Sequence, residues 1–184
     1  MPTSRLRRRF TRALVLTAVS VLSVHVAPAR GADDTVTPVV DRLQLSSEIR
    51  ARVEEMRRAS PTFRQQYQRM IESPQLLLRG RIDPALVGRS FRARTTLVRY
   101  TSGLIVASIE IGPGGQQAEW IAHEFEHVLE RLEGMDLPAL AQQRAPGIWF
   151  SGGDMIETNR AVRAGRAVID EMRRRDQRSD NLVQ

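Results

Sequence analysis

Apolar residues recur at two spacings along the chain, and these spacings separate predicted helices from predicted strands. A spacing of three to four residues predicts two helices in the N-terminal half, and Ser60 followed by Pro61 marks the start of the second. Alternating or continuous apolar runs predict three strands after them. The predicted ranges are 41–58 and 61–73 for the helices, and 75–82, 91–97 and 104–111 for the strands.

The C-terminal half has two further helical patterns, separated by a loop-rich segment. Residues 116–133 predict a long helix, residues 134–153 contain the glycines and prolines typical of loops, and residues 154–175 predict a last helix. This order of elements predicts an α+β domain over residues 41–175, built around a small sheet of three or four strands. The polar, arginine-rich residues 176–184 are predicted to form a frayed tail.

The N-terminus has the pattern of a secretory signal. Five arginines among the first twelve residues precede an uncharged run of small and apolar residues at 13–27, and Ala27-Pro28-Ala29 matches a small-x-small cleavage site. We therefore predict a signal peptide at 1–29, a disordered lead-in at 30–40, and a secreted or periplasmic location. The apolar run is too short for a comfortable membrane span, so no stable span is expected after cleavage. An uncleaved signal that anchors the chain is the alternative.

Charge and cysteine content limit which binding partners and which kinds of metal site we expect. The formal net charge is +7, and all 28 basic residues are arginine. Five of these 28 lie in the predicted signal, so 23 arginines face the 21 acidic residues in the mature chain, for a net charge of +2. Nucleic-acid binding is therefore not expected. The absence of cysteine excludes disulfide bonds and a thiolate metal site.

The predicted helix at 116–133 carries an HExxH motif, formed by His123, Glu124 and His127. Two histidines four residues apart lie on one face of a helix, so both imidazoles can bind one cation. Zn²⁺ accepts such ligands and keeps a position open for water, from which Glu124 could remove a proton. The simpler alternative is a chance match on a solvated helix face.

A zinc site of this kind needs a third protein ligand, and the sequence offers two glutamates. Glu157 opens the predicted last helix, whose face then presents Ala161 and Gly165, small residues that let another helix approach closely. Glu130 lies one turn beyond His127 on the same helix face and is the second candidate. An acidic residue in a first helical turn is also favoured by the helix dipole, without any metal.

HExxH followed by a downstream helix glutamate resembles the gluzincin type of zincin metallopeptidase. More narrowly, Ser60–Arg64, residues 122–130 and residues 157–165 are similar to a group of short, secreted, uncharacterised bacterial zincin-like proteins. The resemblance implies Zn²⁺ bound by His123, His127 and Glu157, with Glu124 as general base. It also implies a minimal zincin-like domain, in which a packed C-terminal helix carries the third ligand.

The function expected from these features is zinc-dependent hydrolysis of peptide bonds outside the cytoplasm, with a peptide or protein as substrate. Two alternatives stay open: a catalytically inactive zincin-like binding or structural protein, and a metal-free protein. No residue stands out as the group that stabilises the oxyanion. The candidates are Tyr67, Tyr100, Arg160 and Arg163.

Two features could shape a substrate cleft. In zincins an edge strand aligns an extended peptide, and the strand at 104–111 or its neighbour could do so here; its apolar character fits a core strand equally well. Trp149 and Phe150 lie in the predicted loop before the last helix, where they could line a substrate pocket or pin the loop to the core.

Overall fold

The structure is a computed structural model, and it describes residues 16–21 and 42–181. The rest of the predicted signal peptide and the lead-in at 30–40 lie outside the described residues. The helices are α1 (Ser47–Ala59), α2 (Pro61–Ile71), α3 (Gln117–Leu132), α4 (Leu137–Gln142) and α5 (Asn159–Asn181). The strands are β1 (Leu16–Val21), β2 (Leu43–Leu45), β3 (Leu76–Ile82), β4 (Phe91–Arg99), β5 (Ile105–Ile111), β6 (Ile148–Gly152) and β7 (Met155–Thr158).

The five-stranded sheet has the order β1-β4-β5-β3-β2. Strands β2, β3 and β5 are parallel, whereas β4 is antiparallel to β5 and pairs in parallel with the backbone of β1. Helix α3 packs on β4 and β5, α1 packs on β3, and α5 packs on α3. The described chain is thus a mixed α and β fold, as predicted. In its described part, no helix is long and apolar enough to cross a membrane.

The alternation predicted for β4 is confirmed, and it decides which side chains face the helices. Ala93, Thr95 and Leu97 are buried, whereas the side chains between them are partly exposed. Strand β5 is hydrogen-bonded on both sides, by β3 and β4, so it is a central strand and not an edge. Its neighbour β4 is likewise paired on both sides, by β5 and β1, so neither strand offers a free edge to a peptide in the described sheet.

The first predicted helix begins later than expected, because residues 43–45 form strand β2. Leu43 and Leu45 pair with Leu78 and Gly80 of β3, a contact between segments far apart in sequence that local spacing cannot reveal. Helix α1 begins after Ser46, whose hydroxyl oxygen accepts a hydrogen bond from the backbone of Ile49.

The largest difference from the predicted elements lies before the last helix. Residues 148–158, predicted as a loop and the first turn of a helix, form the antiparallel hairpin β6–β7. Helix α5 starts only at Asn159, since the Thr158 hydroxyl caps the backbone N–H of Ala161 at 2.9 Å. Glu157 therefore lies at the end of a strand, and the prediction that the C-terminal helix carries it is wrong. The helix continues to Asn181, beyond the predicted end at 175.

Helices α3 and α5 approach closely where α5 presents small residues. Ala161 and Val168 are fully buried, and a Cβ atom added at Gly165 would lie 2.9 Å from the backbone oxygen of Glu119 and 3.4 Å from the Cβ of His123. Gly165 thus sets the distance between α5 and the turn of α3 that carries the first histidine. The predicted close contact along this face is confirmed.

We predict that Gly165→Ala destabilises the protein by about 1–3 kcal/mol, because the new methyl group collides with backbone atoms that cannot move aside cheaply. Urea denaturation monitored by circular dichroism measures this change in the free energy of unfolding. Gly115→Ala is the matched control, since a Cβ atom there meets nothing within 4 Å. Equal stability of the two variants would contradict the close approach.

Candidate metal centre

The two histidines of the HExxH motif converge with the hairpin glutamate. His123 and His127 lie one turn apart on α3, and Glu157 reaches them from the end of β7. The Glu157 Oε1 atom is 3.0 Å from Nε2 of His123 and 3.4 Å from Nε2 of His127, and the two Nε2 atoms are 3.1 Å apart. All three residues are buried, and together they form a group that could hold a metal ion.

The histidine face of α3 is covered as completely as its apolar face. Ile121, Phe125 and Val128 point into the main core, as their spacing predicts. The opposite side, with both histidines, is enclosed by α5 and the end of β7. The chance-match alternative required a solvated helix face, and the structure places these histidines in the interior instead.

Glu130 contacts the second histidine from the side away from the converging atoms. Its Oε2 lies 2.9 Å from Nδ1 of His127, and its Oε1 accepts a hydrogen bond of 2.7 Å from the Thr158 hydroxyl. Glu130 is fully buried and is not a member of the metal-binding group. A carboxylate in this position holds the proton of a neutral imidazole on Nδ1, which leaves Nε2 free to bind a metal. Glu130 is therefore placed to orient His127 instead of acting as the third ligand.

One carboxylate oxygen of Glu124 is hydrogen-bonded, and the other is not. Its Oε2 accepts a hydrogen bond of 2.7 Å from the Thr95 hydroxyl on β4, whereas its Oε1 has no hydrogen-bond partner among the described residues. Burial raises the pKa of Glu124, because desolvation disfavours its charged form, and interactions with His123, His127 and Thr95 offset this only in part. An oriented carboxylate of raised pKa with one free oxygen is suited to accept and return a proton.

Opposite charges hold His123, His127 and Glu157 together. Burial by itself lowers the pKa of His127, but hydrogen bonds to Glu130 and Glu157 and the charge of Glu124 outweigh it and raise this pKa to about 10. Burial likewise opposes ionisation of Glu157, yet hydrogen bonds to His123 and His127 hold its pKa well below the usual range. The acidic side chains around His127 therefore favour a positive charge at this position.

A second network of polar side chains contacts α3 through Glu126 and Glu133. Arg160, in the first turn of α5, donates to Glu126 at 2.5 Å and to Glu133 at 2.8 Å. Gln66 of α2 donates both to Glu126, at 2.5 Å, and to the backbone oxygen of Ala122, at 3.1 Å. These contacts tie α2, α3 and α5 together around the motif.

The four oxyanion candidates differ in their surroundings. Arg160 is engaged by its two glutamates, and the ring of Tyr67 lies against the guanidinium of Arg57, with 4.3 Å between the ring centre and Cζ. Tyr100 follows β4 and is 39% exposed, and Arg163 is an exposed residue of α5. The identity of the oxyanion group stays a prediction.

Sequence reasoning identified the converging residues but missed the side chains that hold them. Thr95 was visible only as one inward position of an alternating strand, and Thr158 as an ordinary polar residue beside Glu157.

Comparisons of this chain with protein-family models, with curated proteins and with solved structures found no match. The interpretation of the centre therefore depends on its own geometry.

We predict that Glu130→Gln weakens Zn²⁺ binding by about 10- to 100-fold, because the amide no longer holds the His127 ring by its Nδ1 proton. Competition with a fluorescent chelator measures the affinity, and circular dichroism checks the fold. Glu54→Gln, which removes the same charge from an exposed position on α1, should bind Zn²⁺ like the wild type. An unchanged affinity in Glu130→Gln would refute the orienting role.

We also predict that Zn²⁺ binding releases a proton at pH 7.5. The metal-free pKa of about 10 keeps His127 protonated at that pH, and the metal binds only the deprotonated ring. Apparent affinity should then rise by about tenfold per pH unit between pH 6.5 and 8.5 for each proton released. Calorimetry in buffers of different ionisation enthalpy counts the protons. A flat pH profile would contradict the protonated state of His127.

Proposed function

We propose that this chain is a secreted zinc-dependent peptidase, in which Glu124 acts as general base. The observation that carries the proposal is the convergence of two Nε2 atoms and one carboxylate oxygen beside a buried glutamate with a free oxygen. Metal ligands and a base in one buried group are the components that metal-assisted hydrolysis requires. The secreted location rests on the arginine-rich and apolar pattern of residues 1–29.

Zinc fits this donor set. Two imidazoles and one carboxylate form the ligand set of many catalytic zinc sites, which keep the fourth position open. For bonds of about 2.0–2.1 Å, two ligands of a tetrahedral ion lie roughly 3.3 Å apart. The corresponding distances in this group are 3.0, 3.1 and 3.4 Å, so little movement is needed to admit the ion.

The side chains around the proposed zinc ion have different roles in hydrolysis. Bound zinc would polarise the substrate carbonyl and lower the pKa of a water molecule. Glu124 receives the proton of that water on its free Oε1 and returns it to the leaving amine, while the Thr95 hydroxyl holds Oε2 in place. Glu130 and Thr158 fix the orientation of His127, so that its Nε2 faces the ion.

The arrangement of elements supports the zincin-like interpretation. A mixed sheet with one antiparallel strand, β4, lies against the motif helix, and the third acidic residue follows later in the chain. In our proposal the third ligand is supplied by the strand end at Glu157, immediately before the C-terminal helix. The main core of the described residues extends from Leu43 to Met172.

One observation favours a second candidate, a structural metal centre in a non-catalytic protein. The side chains of the three ligand residues are 8%, 0% and 6% exposed, which leaves little room for a substrate to enter. In that case the metal would stabilise the domain as closed structural zinc sites do. The two candidates differ in whether Glu124 matters once zinc is bound.

We predict that Glu124→Gln retains one zinc ion per chain but loses hydrolysis of a peptide library by about 10²- to 10⁴-fold, since the amide cannot accept the proton. Mass spectrometry of the library measures cleavage, and atomic absorption measures zinc. Glu54→Gln, remote on α1, should retain both.

Other outcomes separate the candidates. Zinc in the wild type without any cleavage would favour the structural centre. Equal cleavage by wild type and Glu124→Gln would refute the role of the base, and a wild-type protein that binds no zinc would overturn the proposal as a whole.

A further inference from the structure

Strand β2 forms the edge of the described sheet that lies away from the metal centre. It pairs with β3 on one side, and no other described strand lies on its other side. Neighbouring strands are about 4.8 Å apart, so β2 lies roughly 14 Å from β4, the strand whose Thr95 contacts Glu124. The outer backbone groups of an edge strand can pair with another extended chain.

A cavity of about 920 Å³ lies beside this edge. Residues of β2, β3, β5 and the first turn of α1 line it, and they include Arg50, Arg79 and Arg81. Among the described residues that line the cavity, Glu110 alone is acidic. A cavity of this volume is large enough to hold several side chains of a bound peptide.

The register of the sheet explains why these side chains meet. Arg79 is paired with Gln44 of β2 and with Ser108 of β5, and Arg81 is paired with Glu110. Residues two apart on a strand point to the same face, and the alternating burial of β3 places both arginines on its exposed face. The arginine side chains therefore lie on the side of the sheet opposite to the core.

The single acidic residue of the cavity is already occupied by two arginines. Arg81 donates a hydrogen bond of 3.1 Å to Glu110, and Arg94 of β4 donates to the other oxygen of the same carboxylate. Partial burial raises the pKa of Glu110, but the hydrogen bonds from Arg94 and Arg81 outweigh it and lower this pKa. Glu110 therefore neutralises these two partners and leaves no carboxylate for the other arginines.

The two remaining arginines of the cavity contact neutral oxygens. Arg79 donates to the side-chain oxygen of Gln44 at 3.2 Å, and Arg50 donates to the backbone oxygen of Leu45 at 3.3 Å. Both arginine side chains are exposed, and neither forms an ion pair with a described residue. A guanidinium group binds a carboxylate more strongly than a neutral oxygen, so both groups would gain from an acidic ligand.

The edge strand and the arginines together favour one class of ligand. An edge strand binds an extended peptide backbone by strand addition, and the arginines select carboxylates on that peptide. A single-stranded nucleic acid fits less well, because none of the described residues that line the cavity is an aromatic residue on which a base could stack. A second copy of the chain fits less well, because pairing two β2 edges would bring like-charged arginines together.

We propose that an extended acidic segment of another protein binds as an added strand along β2, with its carboxylates in the cavity beside Arg50 and Arg79. Every second side chain of an extended peptide points to the same face, so acidic residues at alternate positions would all face the cavity. This site is separate from the metal centre, and the inference does not depend on the proposed function.

The test uses the full chain and a fluorescein-labelled peptide of four Glu-Thr repeats, with binding measured by fluorescence anisotropy. We expect saturable binding that weakens as salt is raised from 0.05 to 0.5 M, because the arginines are exposed and their charges are screened. A peptide of four Gln-Thr repeats, which lacks the charges, should bind about tenfold more weakly. The Glu-Thr peptide with every backbone nitrogen methylated should also bind about tenfold more weakly, because it cannot donate hydrogen bonds to β2.

Substitutions then assign the binding to the cavity. Arg50→Gln and Arg79→Gln should each weaken binding of the Glu-Thr peptide by about threefold to fivefold, the range expected for an exposed ion pair. Arg58→Gln is the matched control, because Arg58 is an exposed arginine of the same helix as Arg50 and does not line the cavity. It should bind the peptide like the wild type, and circular dichroism checks that all three variants fold.

Each remaining outcome would overturn the inference in a specific way. Absence of binding up to 1 mM protein would leave the arginines as charges that keep the edge strand from pairing. Equal binding of the methylated peptide would indicate a simple anion site without strand addition, and equal binding by Arg50→Gln and Arg79→Gln would place the site elsewhere. Tighter binding of an oligothymidylate of eight nucleotides would favour nucleic acid, and dimerisation in analytical ultracentrifugation that the peptide reverses would favour a second copy. None of these results bears on zinc binding or on cleavage.

Discussion

The structure depends on the burial of a polar helix face. Helix α3 carries Glu124, Glu126, His127 and Glu130 into the interior, where each has an exposed fraction of 6% or less. Burying a charged group is costly unless it is paired and hydrogen-bonded, so this helix would not form part of a stable core by itself. The surrounding elements must therefore supply partners for every one of these side chains.

Each partner comes from a different element, and this explains why a small domain needs so many short segments around one helix. The strand β4, the helix α2, the strand β7 and the helix α5 each contribute a polar partner to the glutamates of α3. In that order, these partners are Thr95 for Glu124, Gln66 for Glu126, Thr158 for Glu130 and Arg160 for Glu126 and Glu133. The close approach at Gly165 brings α5 near enough for the last of these contacts.

The same arrangement prepares the site for a cation. Hydrogen bonds and neighbouring charges raise the pKa of His127 and lower the pKa of Glu157. Without a bound ion, these shifts favour a buried imidazolium beside a carboxylate. A divalent ion would replace the proton and satisfy three side chains at once, so that binding and stability become linked. Two buried oxygens of the network lack a hydrogen-bond partner among the described residues, Oε1 of Gln66 and Oε1 of Glu124, and only the second is a carboxylate oxygen. A free, buried carboxylate oxygen is expected where a group is kept for chemistry.

The amino-acid sequence alone predicted the residues of the candidate metal centre. The four-residue spacing of His123 and His127 on a helix and the later Glu157 predicted one group, and the structure brings these three residues together where they could hold a metal ion. The four longer helices and the three main strands also followed from periodicity, because burial on one face imposes it, whereas α4 lies in the segment predicted as loop. The folded chain alone shows that Glu157 ends a strand, that residues 43–45 join the sheet, and that Glu130 contacts His127. Those features arise from contacts between segments far apart in the chain, where backbone pairing and side-chain partners outweigh local propensity.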